Sequence, residues 1–189
     1  MSLLQTFTRP ARISLSAPED FARFYQHSHL SVFRYLMVLC AGDTAEAEDL
    51  TAEAFYRAWE KRSQFTGSDA AALGWLITIA RHLLIDRRRA AGRHPVEAEL
   101  DDDLPDLSAR IEDLLVDADR LQQVLAAVQS LPYPYGDIVT LRYVLGWQVR
   151  AIAYHLGLPE NTVSVDLRRA LARLQKKLIP QETLARRTA

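Results

Sequence analysis

Cysteine, glycine and long apolar runs are scarce in this sequence of 189 residues. The single cysteine, Cys40, cannot form an intramolecular disulfide, and without a C-x-x-C pair the sequence excludes a disulfide-stapled secreted scaffold and a cysteine-held structural zinc. Apolar runs such as 35–41 are far shorter than the ~20 residues of a membrane-spanning helix, and the first 17 residues lack the apolar block of a signal peptide. We therefore expect a soluble protein of the reducing cytoplasm, without membrane insertion.

Signatures of catalysis are also missing. The five histidines show no H-E-x-x-H spacing, and the sequence contains neither a G-x-S-x-G elbow nor a phosphate-binding loop. His27 and His29 are two residues apart, which places them on different faces of a helix and makes them a poor metal pair. Cys40 falls within an apolar stripe, as a core residue would. We expect neither an enzyme nor a bound metal or cofactor.

Charge is strongly segregated along the chain, although the formal net charge is only -1. Residues 81–93 contain five arginines and one aspartate, and residues 142–187 contain nine basic residues and three acidic ones. Residues 96–119, which lie between them, contain ten acidic residues and one arginine. Basic blocks of this kind favour binding to a polyanion, because each neutralised phosphate releases condensed counterions. Solvated helix faces are the alternative that charge alone leaves open.

Helical periodicity accounts for the first part of the chain. Apolar residues recur at steps of three and four over 21–39, which predicts a helix with one buried face. Gly42 ends this helix, and Asp43 with Glu46 forms a capping-box pattern. That pattern opens a second predicted helix over about 44–62.

A turn-rich break at 64–69 separates the second helix from a third one, which ends in the arginines of 87–89. Acidic residues with few large apolar groups follow, and we interpret them as a flexible linker. Helical periodicity then returns, with a further helix expected near 136–145. The predicted fold is therefore all-α, with two small helical domains. Its parts are a leader at 1–17, a first domain at 18–93, the acidic linker at 94–119, a second domain at 120–180 and a tail at 181–189.

Residues 147–174 have the pattern of a helix-turn-helix. Small Ala153 allows two helices to approach closely, Gly157 can adopt the positive φ of the turn, and Val163 begins the inner face of the next helix. In that geometry the N-terminal part of the second helix enters the major groove. An ordinary αα-hairpin is the alternative. The residues presented outward would be Glu160, Asn161, Thr162, Ser164, Val165, Arg168 and Arg169.

These segments resemble two regions of one protein family. The segments Ala47–Phe55, Gly74–His82 and Asp86–Arg89 resemble conserved region 2 of a group IV sigma factor, the extracytoplasmic-function (ECF) type of the sigma-70 family. The segments Leu131-Pro132, Leu141–Tyr143, Ile152-Ala153 and Leu156–Val163 resemble its region 4. The resemblance implies a region 2 helical bundle and a region 4 helix-turn-helix. It also implies a protein that binds core RNA polymerase, recognises the -10 and -35 promoter elements and assists promoter melting.

The resemblance assigns core-polymerase binding to the second helix. Its acidic face corresponds to the family's surface for the clamp coiled coil of the β′ subunit, and the β flap is the second expected contact on the polymerase. Charge would steer the encounter, and buried groups would set the residence time. The alternative is that these acids only solvate the helix. The implied residues are Asp49, Leu50, Glu53 and Phe55.

The resemblance assigns the -10 element to the loop at 64–69 and to the third helix. Strand opening requires a pocket for an unstacked base and a basic groove for the backbone. His82 stands where the family usually has asparagine, so the usual base contact is altered here. Trp75 is also compatible with a core position. The implied residues are Phe65, Trp75, Arg81, His82, Arg87, Arg88 and Arg89.

The -35 element is assigned to the second helix of the helix-turn-helix. Asp166 lies where the family commonly has a basic residue, and Ser164 lies where one is frequent. An acid near the phosphates should weaken binding unless it pairs with an arginine or accepts from a cytosine amino group. The implied residues are Thr162, Ser164, Val165, Arg168, Arg169 and Arg173.

Two other functions compete with the sigma-factor interpretation. A stand-alone helix-turn-helix regulator would dimerise and bind duplex operator DNA without a polymerase. A protein-interaction module that keeps the shape but has lost DNA reading is the other alternative, for which Asp166 is the only indication. Family members are often restrained by an anti-sigma factor, so the resemblance includes such a protein among the candidate partners.

Overall fold

The computed structural model describes residues 13–92 and 118–178. Most of the leader, nearly all of the acidic linker and the C-terminal tail lie outside the described residues. Within these two ranges the chain is almost entirely helical, which confirms the predicted fold class. Two short strands, β1 and β2, were not predicted, because two residues are too few to show alternation. The helices are α1 (Pro18–Leu39), α2 (Thr44–Lys61), α3 (Asp69–Ala90), α4 (Ala118–Gln129), α5 (Tyr135–Val139), α6 (Val149–Leu156) and α7 (Glu160–Leu178), and the strands are β1 (Ile13–Ser14) and β2 (Thr66–Gly67).

Local sequence signals set the helix boundaries. The Asp43 side chain accepts a hydrogen bond from the Glu46 N–H at 2.9 Å, as the capping pattern predicted. Ser68 caps α3 in the same way, with Oγ accepting from the Ala71 N–H at 3.2 Å. Each cap contributes about 1 kcal/mol by satisfying an N–H that the helix leaves unpaired.

Helices α1, α2 and α3 pack against one another and form the first module. Aromatic rings dominate one end of its core, where Phe21 and Phe24 on α1 meet Phe55 on α2. Cys40 is buried, and burial raises the pKa of its thiol to about 12. The thiolate is therefore not populated at neutral pH, in agreement with a core role for this residue.

Helices α4 to α7 form the second module, in which α7 packs on α4, α5 and α6. After α5 the chain continues as a π-helical turn, Thr140–Val144, so the helix expected near 136–145 ends one residue early. Gly157 adopts φ 67°, the left-handed conformation predicted for the helix-turn-helix. The buried residues of this module's own cluster are Ala127, Val128, Leu131, Tyr135, Val139, Ala170 and Leu174.

The two modules pack against each other through α1, α4 and the π-helical turn. Ile138, Leu141 and Ile152 of the second module belong to the same buried cluster as the core of the first. The fully buried Tyr35 donates a hydrogen bond from Oη to Oδ1 of Asp137 at 2.6 Å. Burial raises the pKa of Tyr35 well above its usual value, and the Asp137 carboxylate raises it further. The phenol therefore stays protonated and keeps donating.

Each described helix is too short or too polar to cross a lipid bilayer.

Candidate polymerase and nucleic-acid interfaces

The acidic residues predicted on α2 line an open groove of about 730 Å³ between α2 and α3. Asp49 and Glu53 project into it, and each lies near an arginine: Arg87 Nη1 is 3.8 Å from Asp49 Oδ2, and Arg57 Nε is 2.7 Å from Glu53 Oε1. Such exposed pairs exchange readily with water and with a binding partner. The groove therefore offers carboxylates that a basic partner can reach.

Leu50 and Phe55 are both buried; Leu50 lines the groove with almost no exposed area, and Phe55 does not line it. Leu50 is 1% exposed and Phe55 is 5% exposed, and the Phe55 ring packs on the Tyr25 ring with centroids 4.6 Å apart. They support the groove from inside. The neighbouring Tyr56 is 59% exposed and lines the groove. Tyr56 was not predicted from the sequence, because periodicity alone does not decide which of two adjacent aromatic residues turns inward.

The loop between α2 and α3 presents an aromatic pair. Phe65 stacks on Trp75 with ring centroids 5.1 Å apart and an interplanar angle of 26°. Both side chains are half-buried, so Trp75 is neither a fully buried core residue nor a free wedge. Partly exposed stacked rings are suited to stacking with unpaired bases.

The basic residues of α3 divide into two groups. His82, Arg87 and Arg89 are exposed. Arg88 instead donates to the carbonyl oxygen of Leu39 at the C-terminus of α1. Arg81 also points inward. Only the first group is offered to solvent in this arrangement.

Arg81 lies at the contact between the two modules. Its Nε is 2.9 Å from Asp137 Oδ1, as an ion pair rather than an aligned hydrogen bond, and its guanidinium lies over the Tyr133 ring at 4.0 Å. A phosphate contact by Arg81 requires this ion pair to break. Asp137 and Tyr133 were not predicted from the sequence, because no local pattern marks residues whose partner lies in the other module.

The predicted -35 residues of α7 also occupy different settings. Arg168 is exposed, whereas Arg169 lies with Nη1 3.9 Å from Asp166 Oδ1 and Arg173 lies over the Tyr135 ring at 5.1 Å. Thr162, Ser164 and Val165 are half-buried.

Asp166 faces the interior of the second module. It is 8% exposed and shares its helix face with the buried Val163, Ala170 and Leu174. Burial raises the pKa of its carboxyl, and the nearby Arg169 partly offsets this shift. Asp166, which would weaken DNA binding if it faced the phosphates, is therefore directed into the module and away from the exposed face that carries Arg168.

Among the described residues, no group of three or more His, Cys, Asp or Glu side chains is placed to hold a metal ion.

Comparisons with known proteins agree with this architecture. The family model Sigma-70 region 2 matches residues 24–94, and the model Sigma-70, region 4 matches residues 121–174. The ECF RNA polymerase sigma factor SigL of Mycobacterium tuberculosis is 31% identical over 171 residues, which cover 89% of this chain and 96% of SigL.

Two solved structures share the fold. The sigma factor RpoE from Bartonella quintana, solved with the anti-sigma factor NepR, superposes with a TM-score of 0.63 at 23% identity, covering 85% of this chain and 97% of that one. CnrH, solved with the cytosolic domain of CnrY, gives a TM-score of 0.58 at 17% identity, covering 86% of this chain and 89% of that one.

The chain belongs to the ECF group of the sigma-70 family of RNA polymerase sigma factors. Its function is that of a sigma factor, which directs RNA polymerase to promoters to initiate transcription. No comparison favours a stand-alone regulator.

Proposed function

We propose that this sigma factor binds core RNA polymerase through the α2–α3 groove, reads the -10 element with the loop at 64–69 and α3, and reads the -35 element with α7. The domain at 18–93 carries the first two tasks and the domain at 120–180 carries the third, with 94–119 joining them. The single observation that carries the proposal is the groove, where accessible carboxylates and an exposed aromatic ring lie side by side.

The chemistry of the groove fits a basic coiled coil such as the β′ clamp. Asp49 and Glu53 supply negative charge that accelerates the encounter, and Tyr56 supplies an exposed ring of the kind that anchors interfaces. The Glu60 carboxylate raises the pKa of Tyr56 through its charge and through a hydrogen bond from the phenol, so it is the exposed ring that the groove offers to a partner. The second module would contact the β flap while it holds duplex DNA.

For the promoter, the stacked pair of Phe65 and Trp75 supplies a surface for an unstacked base, and exposed Arg87 and Arg89 supply backbone contacts. In the second module, the exposure of Arg168 in the N-terminal half of α7 supports a duplex contact by this residue. We propose that these five side chains do more of the DNA binding than Arg81 or Arg88, whose guanidinium groups are engaged within the protein.

We also propose that the chain catalyses no reaction and acts in the cytoplasm, contributing binding energy while the polymerase core performs phosphoryl transfer. An anti-sigma factor is a further proposed partner. Its support is the fold shared with RpoE of Bartonella quintana, which was solved with one. Purification of the chain from its own host should then yield a stoichiometric protein that blocks polymerase binding, and a chain that copurifies only with polymerase would contradict this.

The test of the proposed function is gel filtration with a bacterial core RNA polymerase. The wild-type chain should co-elute with core, and Asp49→Lys/Glu53→Lys should not. The matched control is Glu19→Lys/Glu48→Lys, which makes the same change of net charge at exposed residues that do not line the groove. A wild-type chain that elutes apart from core, or a control that loses binding equally, would contradict the assignment of the groove.

A further inference from the structure

We infer that residues 13–15 of the leader hold the -10 recognition loop in its reading position, and so contribute to promoter specificity without contacting DNA. The inference rests on the proposed role of that loop. No function is predicted for the leader from the sequence, and only its residues from 13 onward are described.

The leader is anchored in the first module by its side chains. Leu15 is 1% exposed and belongs to the buried cluster formed by α1, α2 and α3, and Ile13 is half-buried against the same cluster. Burying a leucine removes its apolar surface from water, and this stabilises the anchored segment. Ser14, between them, is exposed and lies outside the buried cluster; its Oγ accepts a hydrogen bond from the Ser16 N–H at 3.3 Å, within the leader itself.

The anchored segment pairs with the middle of the loop. Strands β1 and β2 are antiparallel, with Ile13 opposite Gly67 and Ser14 opposite Thr66. The ends of the loop are held separately: the Phe65 N–H donates to the Arg62 carbonyl at 3.3 Å, and Ser68 caps α3. The leader therefore supplies a backbone constraint on the two residues between these ends.

That constraint reaches the aromatic pair through Gly67. A Cβ at position 67 would lie 2.9 Å from Cζ of Phe65 and 3.2 Å from Cβ of Ala71, so the ring packs directly against the glycine backbone. The ring also stacks on Trp75, with centroids 5.1 Å apart. A displacement of Thr66–Gly67 must therefore move the Phe65 ring, and recognition sites tolerate displacements of only about 0.5 Å.

The decisive variant changes the backbone of the leader and spares the core. Ser14→Pro removes one N–H from β1 and crowds the paired strand, while the exposed position of Ser14 leaves the buried cluster intact. Ser14→Ala is the matched control, because it removes the hydroxyl and keeps the backbone donor. Gly67→Ala is the second variant, because it displaces the Phe65 ring from the loop itself.

The experiment is selection of promoters by reconstituted holoenzyme from a DNA library randomised at the -10 and -35 elements, read by sequencing the transcribed templates. Ser14→Pro should lower base preference within the -10 element by about tenfold, the scale of one lost base contact, and leave the -35 preference unchanged. Gly67→Ala should do the same, and Ser14→Ala should match wild type. In a Phe65→Ala background, Ser14→Pro should have no further effect, because both changes act through the same ring.

Two results would overturn the inference. One is an unchanged -10 preference in Ser14→Pro. The other is an equal loss of preference at both elements with a lower melting temperature, which would make the β1–β2 pair a structural staple only. A wild-type holoenzyme without preference at either element would instead contradict the proposed function, and this result is separated from the others because it needs no variant.

Discussion

The arginines of α3 and those of α7 have the same charge and similar spacing, yet the structure uses them differently. On α3, Arg87 and Arg89 are exposed at the helix end, and Arg88 holds a carbonyl of α1. On α7, Arg168 is exposed, while Arg169 lies against a buried acid. In both helices, a run of positive charge contains members that bind within the protein and members that are offered to solvent.

An arginine binds within the protein where its guanidinium meets an acceptor that has no other partner, and it stays exposed elsewhere. The C-terminus of a helix leaves carbonyl groups without partners, and an arginine of a neighbouring helix can satisfy one. A buried carboxylate such as Asp166 likewise requires a positive neighbour. Counting charges along a segment therefore predicts the presence of a basic surface, but it overestimates how many charges reach a ligand.

The largest effect is expected from the removal of Asp137, the acid that pairs with Arg81 within the protein. Asp137→Ala leaves the Arg81 guanidinium and the Tyr35 hydroxyl without their partner in a largely buried site. Removing one member of a buried ion pair typically costs about 3 kcal/mol or more. Chemical denaturation should show a loss of this size, and small-angle X-ray scattering should show a larger radius of gyration as the modules separate. An exposed-acid control, Glu19→Ala, should change neither quantity.

Two neighbouring arginines of α3 should have different roles: Arg88 should stabilise the fold, and Arg89 should contribute to DNA binding. Arg88→Gln loses a charge-assisted hydrogen bond to Leu39 and should lower the free energy of unfolding by about 1.5 kcal/mol. Arg89→Gln should leave the free energy of unfolding unchanged. When holoenzyme binding to promoter DNA is measured, the slope of log affinity against log salt should become less steep by about 0.9. If the two variants behave alike in both assays, the division drawn here is wrong.

A third substitution, Gly74→Ala, should strengthen the contact between the modules near Arg81. Gly74 lies within α3, and a Cβ there would make ordinary contact with Nδ1 of His155 at 3.5 Å. Gly74→Ala should therefore stabilise the protein by up to about 1 kcal/mol, because alanine is the better helix former. A shift of the denaturation midpoint to higher denaturant with unchanged slope would support this. A destabilised Gly74→Ala would mean that the modules lie closer at this point than the structure indicates.

The smallest expected effect is a pH dependence at His155, whose ring packs against Trp147 with centroids 5.2 Å apart. Burial lowers the pKa of His155 from 6.5, Arg81 lowers it further, and Asp137 opposes them. The folded protein thus binds a proton less readily than the unfolded chain, so stability is full above pH 6.5 and declines as the pH falls toward the lowered pKa. Melting temperatures between pH 7.5 and 5.5 should fall less in His155→Gln than in wild type. The exposed-histidine control, His27→Gln, should keep the wild-type dependence.

The sequence predicted the features that depend on neighbours within one helical turn or one loop. The caps at Asp43 and the left-handed Gly157 are such features, and both were confirmed, as was the division into two helical modules. It did not predict which of Phe55 and Tyr56 faces the groove, since both fit a broad apolar stripe. Nor did it predict the partners of Arg88 and Tyr35, because these lie 49 and 102 residues away in sequence.

The hydrogen bond between Tyr35 and Asp137 holds the two modules together, so it also affects whether a ligand can reach Arg81 at the contact between them. Both modules belong to one covalent chain, so each meets the other at an effective concentration set by the connecting segment and not by the protein concentration. Dilution of the protein does not lower that concentration. A ligand for the covered surface therefore competes with an intramolecular occupant, and its apparent affinity is reduced by the fraction of time that the modules spend together.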